Sequence, residues 1–334
     1  MAVTIHDVAR EAGVSHTTVS RVLNNKGEIS AETRTRVRAV AERLNYVPSS
    51  VARALVSGTT KTLGLIITNS ASPVYSAAVR TIEGAANAAG FGLLLCNSAG
   101  SQERALRCLA MLQSKQVDGL VLAPVQSDRR DVAVLQRSGI PFVLLLRHFS
   151  DLPTDYVIMD NVEGGYLTTR HLLQLGHRRI AHIAGPVLIS SAQGRLAGYR
   201  KALAEAGLPY AEDLVRHASF TMDGGYQAAL DLLTRASRPT AVFAATDMQA
   251  VGVLKAAREL HIRVPEDIAL AGGDDIDLAE FLEPPLTSFC QPSEEIGQEV
   301  VNILLSRING DRDGFKQVVL KPRLIVRKSS GQPL

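Results

Sequence analysis

No stretch of the 334-residue chain is apolar for long enough to span a bilayer, which argues against a membrane-spanning helix. The N-terminal segment does not read as an export signal. Cysteine is scarce: Cys96, Cys108 and Cys290 are scattered and odd in number, so neither a disulfide framework nor a Cys/His zinc spacing is indicated. Cys96 and Cys290 fall in strand-like runs and read as reduced core residues. The marks of catalysis are missing as well. Asp274 and Asp275 stand side by side, but no partner histidine, nucleophile motif or phosphate loop accompanies them. No enzyme activity, cofactor or metal is expected, and a bacterial cytoplasmic location is.

Charge of one sign is nearly absent overall but unevenly placed. The formal net charge is +3, yet residues 1–61 hold nine Lys/Arg against five Asp/Glu, which is +4. The other 27 basic and 28 acidic residues give −1. A basic arm on a near-neutral body suits a modest nucleic-acid footprint whose affinity falls as salt rises.

The basic arm has a definite plan. Thr4 followed by Asp7 forms a capping-box signature. Ile5, Val8, Ala9 and Ala12 then recur at helical spacing. Gly13 supplies the turn, where a residue without a Cβ is needed. Ser15 caps a second helix with Val19, Val22 and Leu23 facing inward. Ser30 caps a third, with Val37, Val40, Ala41 and Leu44 on its apolar stripe. Helix, glycine turn, helix and supporting helix make an all-α helix-turn-helix headpiece. The outward positions of its second helix are Ser15, His16, Thr17, Thr18, Ser20, Arg21 and Asn24. Short hydroxyls allow close approach to phosphates, and Arg can fork onto guanine in the major groove.

Pro48 ends the third helix. Ser49 or Ser50 can then cap a short helix carrying Val51, Ala52, Leu55 and Val56, stopped by Gly58. Two turns are marginal alone in water, so a symmetry mate and a DNA groove are the expected support. From Thr62 the pattern alternates strand and helix. Strand-like runs cover 63–68, 91–98, 119–124, 141–146, 156–160, 179–185, 241–246, 268–273 and 287–291. Helical segments cover 75–89, 102–115, 162–175, 192–206, 223–235, 247–260 and 293–308. Continuous apolar runs fit strands buried on both faces of a parallel sheet. Two series of βα units predict an α/β body of two doubly wound lobes with a cleft between them.

The strings TIHDVAREAGVSHTTVSRVLNNKGEISAETRTRV, VARALVSGTTKTLGLI, VDGLVLAP, HLLQLGHRRIAHIAG, GRLAGYRKALAEAG, RPTAVFAATD, RVPEDIALAGGDD and PPLTSFCQP resemble regulators of the lactose/galactose repressor (LacI/GalR) family over essentially the whole chain. The resemblance implies a body similar to sugar-binding periplasmic proteins. It also implies crossings between lobes near residues 160, 291 and 322. The domains are then 1–47, the headpiece; 48–60, a linker with a hinge helix; and 61–334, for effector binding and dimerisation. Lobe 1 comprises about 61–160 plus 292–321, and lobe 2 about 161–291 plus 322–330. The implied function is that of a transcriptional regulator, a repressor, binding a palindromic double-stranded DNA operator as a homodimer. A small effector, a sugar or sugar derivative, would control it allosterically.

Carried over to these positions, base reading falls to His16, Thr17 and Arg21. Ser15, Thr18, Ser20 and Asn24 hold phosphates and orientation, and Thr4 is counted among the DNA-binding residues. Leu55 is the minor-groove wedge, with Ala52 beside it and Arg53 on phosphate. The effector cleft lies at the carboxyl ends of the strands, with Tyr75, Arg147, Ser191, Arg195, Phe220, Asp247 and Asp274 expected around it. Carboxylates and guanidinium groups there can grip vicinal hydroxyls while an aromatic covers an apolar face. If Arg147 and Arg195 converge, an acidic or phosphorylated sugar becomes admissible. Asp275 and Asp277 read as acids at a helix start. Four positions near the cleft depart from the family's habit: Ser72-Pro73-Val74-Tyr75 replaces Asn-Pro before two aromatics, Leu146 an Asp, Thr246 an Asn, and Gly273 an aromatic. The ending VRKSSGQPL carries no heptad repeat, which favours a dimer over a coiled-coil tetramer.

Overall fold

The structure, a computed structural model, describes residues 3–47, 58–125, 130–149 and 151–332. It divides into two compact units, Met1–Lys61 and Thr62–Leu334. Ala52, Arg53 and Leu55, with the anticipated hinge helix, lie outside the described residues.

The described residues of the first unit form three helices, α1 (Ile5–Ala12), α2 (His16–Leu23) and α3 (Ala31–Arg43). Thr4 and Asp7 close a reciprocal capping box on α1. Gly13 ends that helix at φ 64°, where its N–H reaches the Ala9 and Arg10 carbonyls. Ser15 and Ser30 accept from the N–H groups of Thr18 and Thr33, satisfying donors that a helix start leaves open. Val8, Ala9, Ala12, Val19, Val22, Val37, Val40 and Ala41 fill the core.

The second unit holds two six-stranded sheets. The first is built from β1 (Thr62–Ile67), α4 (Pro73–Ala88), β2 (Gly92–Asn97), α5 (Gln102–Ser114), β3 (Gly119–Leu122), α6 (Arg130–Ser138), β4 (Phe142–Leu145) and β5 (Tyr156–Met159). The chain then crosses over. The second follows with α7 (Asn161–Gln174), β6 (Ile180–Ala184), α8 (Ser190–Glu205), β7 (Val215–His217), α9 (Met222–Leu233), β8 (Ala241–Ala244), α10 (Asp247–Glu259), β9 (Ala269–Asp274) and β10 (Thr287–Cys290). Helix α11 (Ser293–Ile308) returns to pack on α4 and on the first sheet. Strand β11 (Gln317–Leu320) joins that sheet, and β12 (Arg323–Ile325) joins the second.

The strand orders are β11-β5-β4-β3-β1-β2 and β12-β10-β9-β8-β6-β7. Every pairing is parallel except that of β12 with β10. Both faces of each sheet are covered, which is why the inner strands read as unbroken apolar runs. Along β6, Ala181 and Ile183 enter the core under α9 and α10, while Ile180 and Ala184 enter the core under α7 and α8. Strands β7, β11 and β12 are three or four residues long and lie at sheet edges. They are only partly buried, so they lack the apolar run that marks the others. No helix among the described residues is long and apolar enough to cross a membrane.

Candidate DNA-reading helix and effector cavity

In the headpiece, the residues expected at DNA sort into two groups. Thr4 is engaged with Asp7. Ser15 and Thr18 bond each other through their hydroxyls at 2.9 Å, and Asn24 donates to the Ser20 carbonyl at 2.9 Å. Thr4 thus caps α1, while the other side chains shape the ends of α2. His16, Thr17 and Arg21 are exposed, and among the described residues no hydrogen bond holds their side chains. Thr17 and Arg21 are four apart, hence neighbours on one helix face. The His16 ring packs 5.2 Å from that of His6 on α1, a neighbour that sequence reasoning missed. Asn25, at φ 52°, accepts from Arg38 at 2.7 Å and Arg34 at 3.3 Å, tying the turn after α2 to α3.

In the second unit, a cavity of about 120 Å³ opens where the carboxyl ends of both sheets meet. Tyr75, Arg147, Ser191, Arg195, Phe220 and Asp274 all line it. Their positions follow from the topology. Asn69 lies just past β1, Arg147 past β4, Asn161 past β5, Ser191 and Arg195 on α8 after β6, Phe220 past β7, Thr246 past β8, and Asp274 ends β9. Two lining residues hold strained backbone, Leu146 at φ 60° and Asp274 at φ 103°. Such left-handed residues persist only where the surroundings impose them.

Arg195 is the centre of the arrangement. It is 4 % exposed. Its Nε donates to Asn161 Oδ1 at 3.1 Å, Nη1 to the Ala245 carbonyl at 2.5 Å, and Nη2 to Asp274 Oδ1 at 2.8 Å. The guanidinium carbon lies 4.8 Å from the Phe289 ring centre and 5.9 Å from that of Phe220. Gln291 donates to the same Asp274 oxygen at 2.6 Å. Burial pushes the Asp274 carboxyl above its ordinary range, against the opposing pull of Arg195 and Gln291. An ion pair fixed in this way can present oriented donors and acceptors to hydroxyl groups.

The structure corrects one expectation. Asp247 does not line the cavity; it is fully buried. Its carboxylate accepts from Ser288 Oγ at 2.6 Å and from the Ile276 N–H at 2.9 Å. It fits there because residue 272 is glycine: a Cβ at that position would collide with the Asp247 carboxylate. Burial, then the nearby Asp274 charge, push its carboxyl well above the ordinary value. Asp275 pairs with Arg327 at 2.6 Å, and Asp277 opens a 3-10 turn at 277–280. Gly273, where an aromatic is the family habit, sits against the Phe289 ring and the Ala245 carbonyl, with no room for a Cβ. Asn161 and Gln291, the residues that hold Arg195 and Asp274, were not anticipated. Asn161 directly follows the strand-like run 156–160 and Gln291 closes the run 287–291, each at a crossing between the sheets, which is the one signal that could have found them.

Comparison with known proteins agrees in both units. The profile of bacterial regulatory proteins of the lacI family matches residues 4–49, and that of the periplasmic binding protein-like domain matches residues 169–330. The chain is 37% identical over 327 residues to the ribose operon repressor of Haemophilus influenzae, covering 98% of each. It is 39% identical over 329 residues to the HTH-type transcriptional repressor PurR of Photorhabdus laumondii, covering 98% of this chain and 96% of that one. The lac repressor dimer, solved bound to operator and the anti-inducer ONPF, superposes with a TM-score of 0.90 at 30% identity over 99% of both chains.

Proposed function

The chain belongs to the lacI family of bacterial regulatory proteins, and from that premise we propose which residues carry its work. It is a DNA-binding transcriptional repressor that meets a twofold operator as a homodimer and responds to a small sugar-like molecule. Such work belongs to the bacterial cytoplasm. The relatives are repressors, and we assign this chain no reaction. Residues 1–47 read DNA, 48–60 link, and 61–334 bind effector and dimerise, with lobes of about 61–160 plus 292–321 and 161–291 plus 322–330. His16, Thr17 and Arg21 contact bases; Ser15, Thr18, Ser20 and Asn24 set the end of the reading helix and its approach to phosphates, and Thr4, which caps α1, joins the DNA-facing set. Leu55 wedges into the minor groove with Ala52 beside it, and Arg53 contacts phosphate.

The observation that carries the effector reading is the Arg195–Asp274 pair at the cavity wall, oriented by Asn161 and Gln291 from the two crossings. A ligand touching Tyr75, Arg147, Ser191, Phe220 and this pair contacts both lobes. It thereby selects one closure angle, and that angle biases the dimer and its linkers. A coupling of about 1–3 kcal/mol changes operator affinity roughly 5–150-fold.

The test is titration of full-length protein against a twofold-symmetric operator and random DNA at matched salt, with and without sugars. Arg21→Ala is expected to lose most of the discrimination, and Leu55→Ala to weaken operator binding far more than non-specific binding. Equal affinity for both DNAs under every ligand condition, with the headpiece folded, rejects the reading.

A further inference from the structure

Two guanidinium groups line the cavity, and among the described residues only one of them is paired with a carboxylate. Arg195 faces Asp274 at 2.8 Å. Arg147 donates from Nη1 to the carbonyls of Pro124 and Val125 at 2.6 and 3.0 Å. Those acceptors hold the side chain in place without cancelling its charge. Among the described residues no carboxylate pairs with Arg147, and its Nε and Nη2 make no hydrogen bond. Nearby acids are engaged elsewhere: Asp275 with Arg327, Asp247 with Ser288 and Ile276. The residue before Arg147 is Leu146, which adds an apolar side chain to the wall. The other polar groups there, among them Asn69, Ser72, Ser191, Thr246 and Gln291, are uncharged.

Among the described residues the lining therefore carries one uncompensated positive charge. It stands half-buried beside Val74, Tyr75, Phe220 and Met248, where water screens it less than at an open surface. Asp274 offers the complementary feature. Its Oδ1 receives both Arg195 and Gln291, and its Oδ2 accepts no hydrogen bond among the described residues. An arginine with an open fork and a carboxylate with a free acceptor, among the described residues, thus line one small space.

Resting on the effector reading above, we propose that the effector is a polyhydroxylated molecule bearing one anionic group, a sugar carboxylate or sugar phosphate. The anion sits on the Nε–Nη2 edge of Arg147, and a hydroxyl donates to Asp274. Arg147 is then the residue that selects charged sugars over neutral ones.

The experiment is thermal protection followed by calorimetry on full-length protein. The probes are ribose and glucose, their aldonates ribonate and gluconate, and their phosphates ribose 5-phosphate and glucose 6-phosphate. At least one anion is expected to bind about 10- to 100-fold tighter than its neutral parent, the range of a charge-assisted hydrogen bond. Arg147→Gln is expected to remove that advantage, weakening the anion far more than its neutral parent; Arg147→Lys is expected to keep most of it. Preference for the aldonate or for the phosphate identifies which anion the fork was shaped for, and either supports the proposal. Equal or tighter binding of the neutral parent in the unaltered protein overturns it while leaving the effector site standing, and needs no variant to fold. So does an Arg147→Gln loss that falls alike on neutral and charged sugars. Protection by none of the six removes the sugar-effector reading, and this proposal with it.

Discussion

The second sheet carries a helix pair on each face, and the two pairs share one pattern. In α7 and α8, Gly165 abuts the Arg195 carbonyl and Gly198 the Val162 carbonyl, so closely that a Cβ at either would overlap the backbone. In α9 and α10, Gly225 meets the Gln249 carbonyl and Gly252 the Met222 carbonyl in the same manner. Tyr166 donates to Glu205 at 2.6 Å and lies under Lys201; Tyr226 donates to Glu259 at 2.6 Å and lies under Lys255. Arg195 and Gln249 each stand three residues before the second glycine of their pair. Arg195 reaches the cavity wall, whereas Gln249 reaches the Ala184, Ala218 and Ser219 carbonyls and braces a loop. The cores beneath differ too. Under α9 and α10 the buried side chains are aliphatic, while under α7 and α8 Tyr199, Phe243 and Phe289 pack together with His182 stacked on two of them. One helix-pair scaffold thus serves two ends, and what stands opposite the shared position decides which.

The comparison breaks most sharply at that position. Arg195→Met is expected to cost about 3–5 kcal/mol, because it strands the buried Asp274 carboxylate. Arg195→Met combined with Asp274→Leu is expected to recover much of that stability while effector binding stays lost. Gln249→Met leaves carbonyls short of a donor and is expected to cost about 1–3 kcal/mol with little change in ligand affinity. Denaturant unfolding and calorimetry on the three variants check this. Equal losses in affinity from Arg195→Met and Gln249→Met would erase the distinction between site and brace.

Most of this frame is legible in the chain itself, and the rest is hidden for a physical reason. Thr4, Ser15 and Ser30 announce helix starts because a cap is a contact between near neighbours. LGLIIT and AVFAAT announce inner strands because both faces are covered. The pairing of Arg195 with Asp274 joins residues 79 apart, and Asn161 and Gln291 acquire their roles only when two crossings are brought beside it. Asp247 shows the limit. Like Asp274 it follows an apolar strand run, and nothing local separates the two. Gly272 on β9 and Ser288 on β10 draw Asp247 down beneath the cavity floor, while Gln291 and Arg195 hold Asp274 at the surface of the cavity. Edge strands β7, β11 and β12 are obscure for another reason: with one side unpaired and short spans, they need no apolar run.

The glycines sharpen the comparison from the scaffold side. Gly198→Ala and Gly252→Ala each force a methyl against a backbone carbonyl, and each is expected to cost near the upper end of about 1–3 kcal/mol. Stability alone therefore does not tell the pairs apart, but ligand affinity does. Separating α8 from α7 moves Arg195 relative to Asn161, so Gly198→Ala is expected to weaken effector binding at least severalfold. Gly252→Ala moves only the brace and is expected to leave affinity within about twofold. Paired melting curves and titrations read both quantities, and an affinity loss in Gly252→Ala as large as in Gly198→Ala contradicts the assignment.

His182 gives the smallest and most selective difference, since only the α7/α8 face carries it. Its Nδ1 faces the Phe243 carbonyl at 2.9 Å, its Nε2 has no hydrogen-bond partner among the described residues, and its ring stacks on Phe243 and Tyr199. Burial pushes its pKa down to about 3, with the His217 and Arg195 charges adding to the effect and the Phe243 carbonyl opposing it. The native state therefore keeps the ring neutral, while the unfolded chain takes up a proton near pH 6.5. Stability from this residue is present above pH 6.5 and drains away as pH falls toward 3. Between pH 7.5 and 5.5 the loss amounts to about 1.4 kcal/mol from this one group. His182→Leu is expected to flatten the acid limb by that amount, whatever its effect on absolute stability. Unfolding free energies of both proteins at the two pH values give the difference of slopes. An unchanged slope would mean that the ring gains its proton without leaving the fold, and that this face is no more sensitive to acid than the aliphatic one.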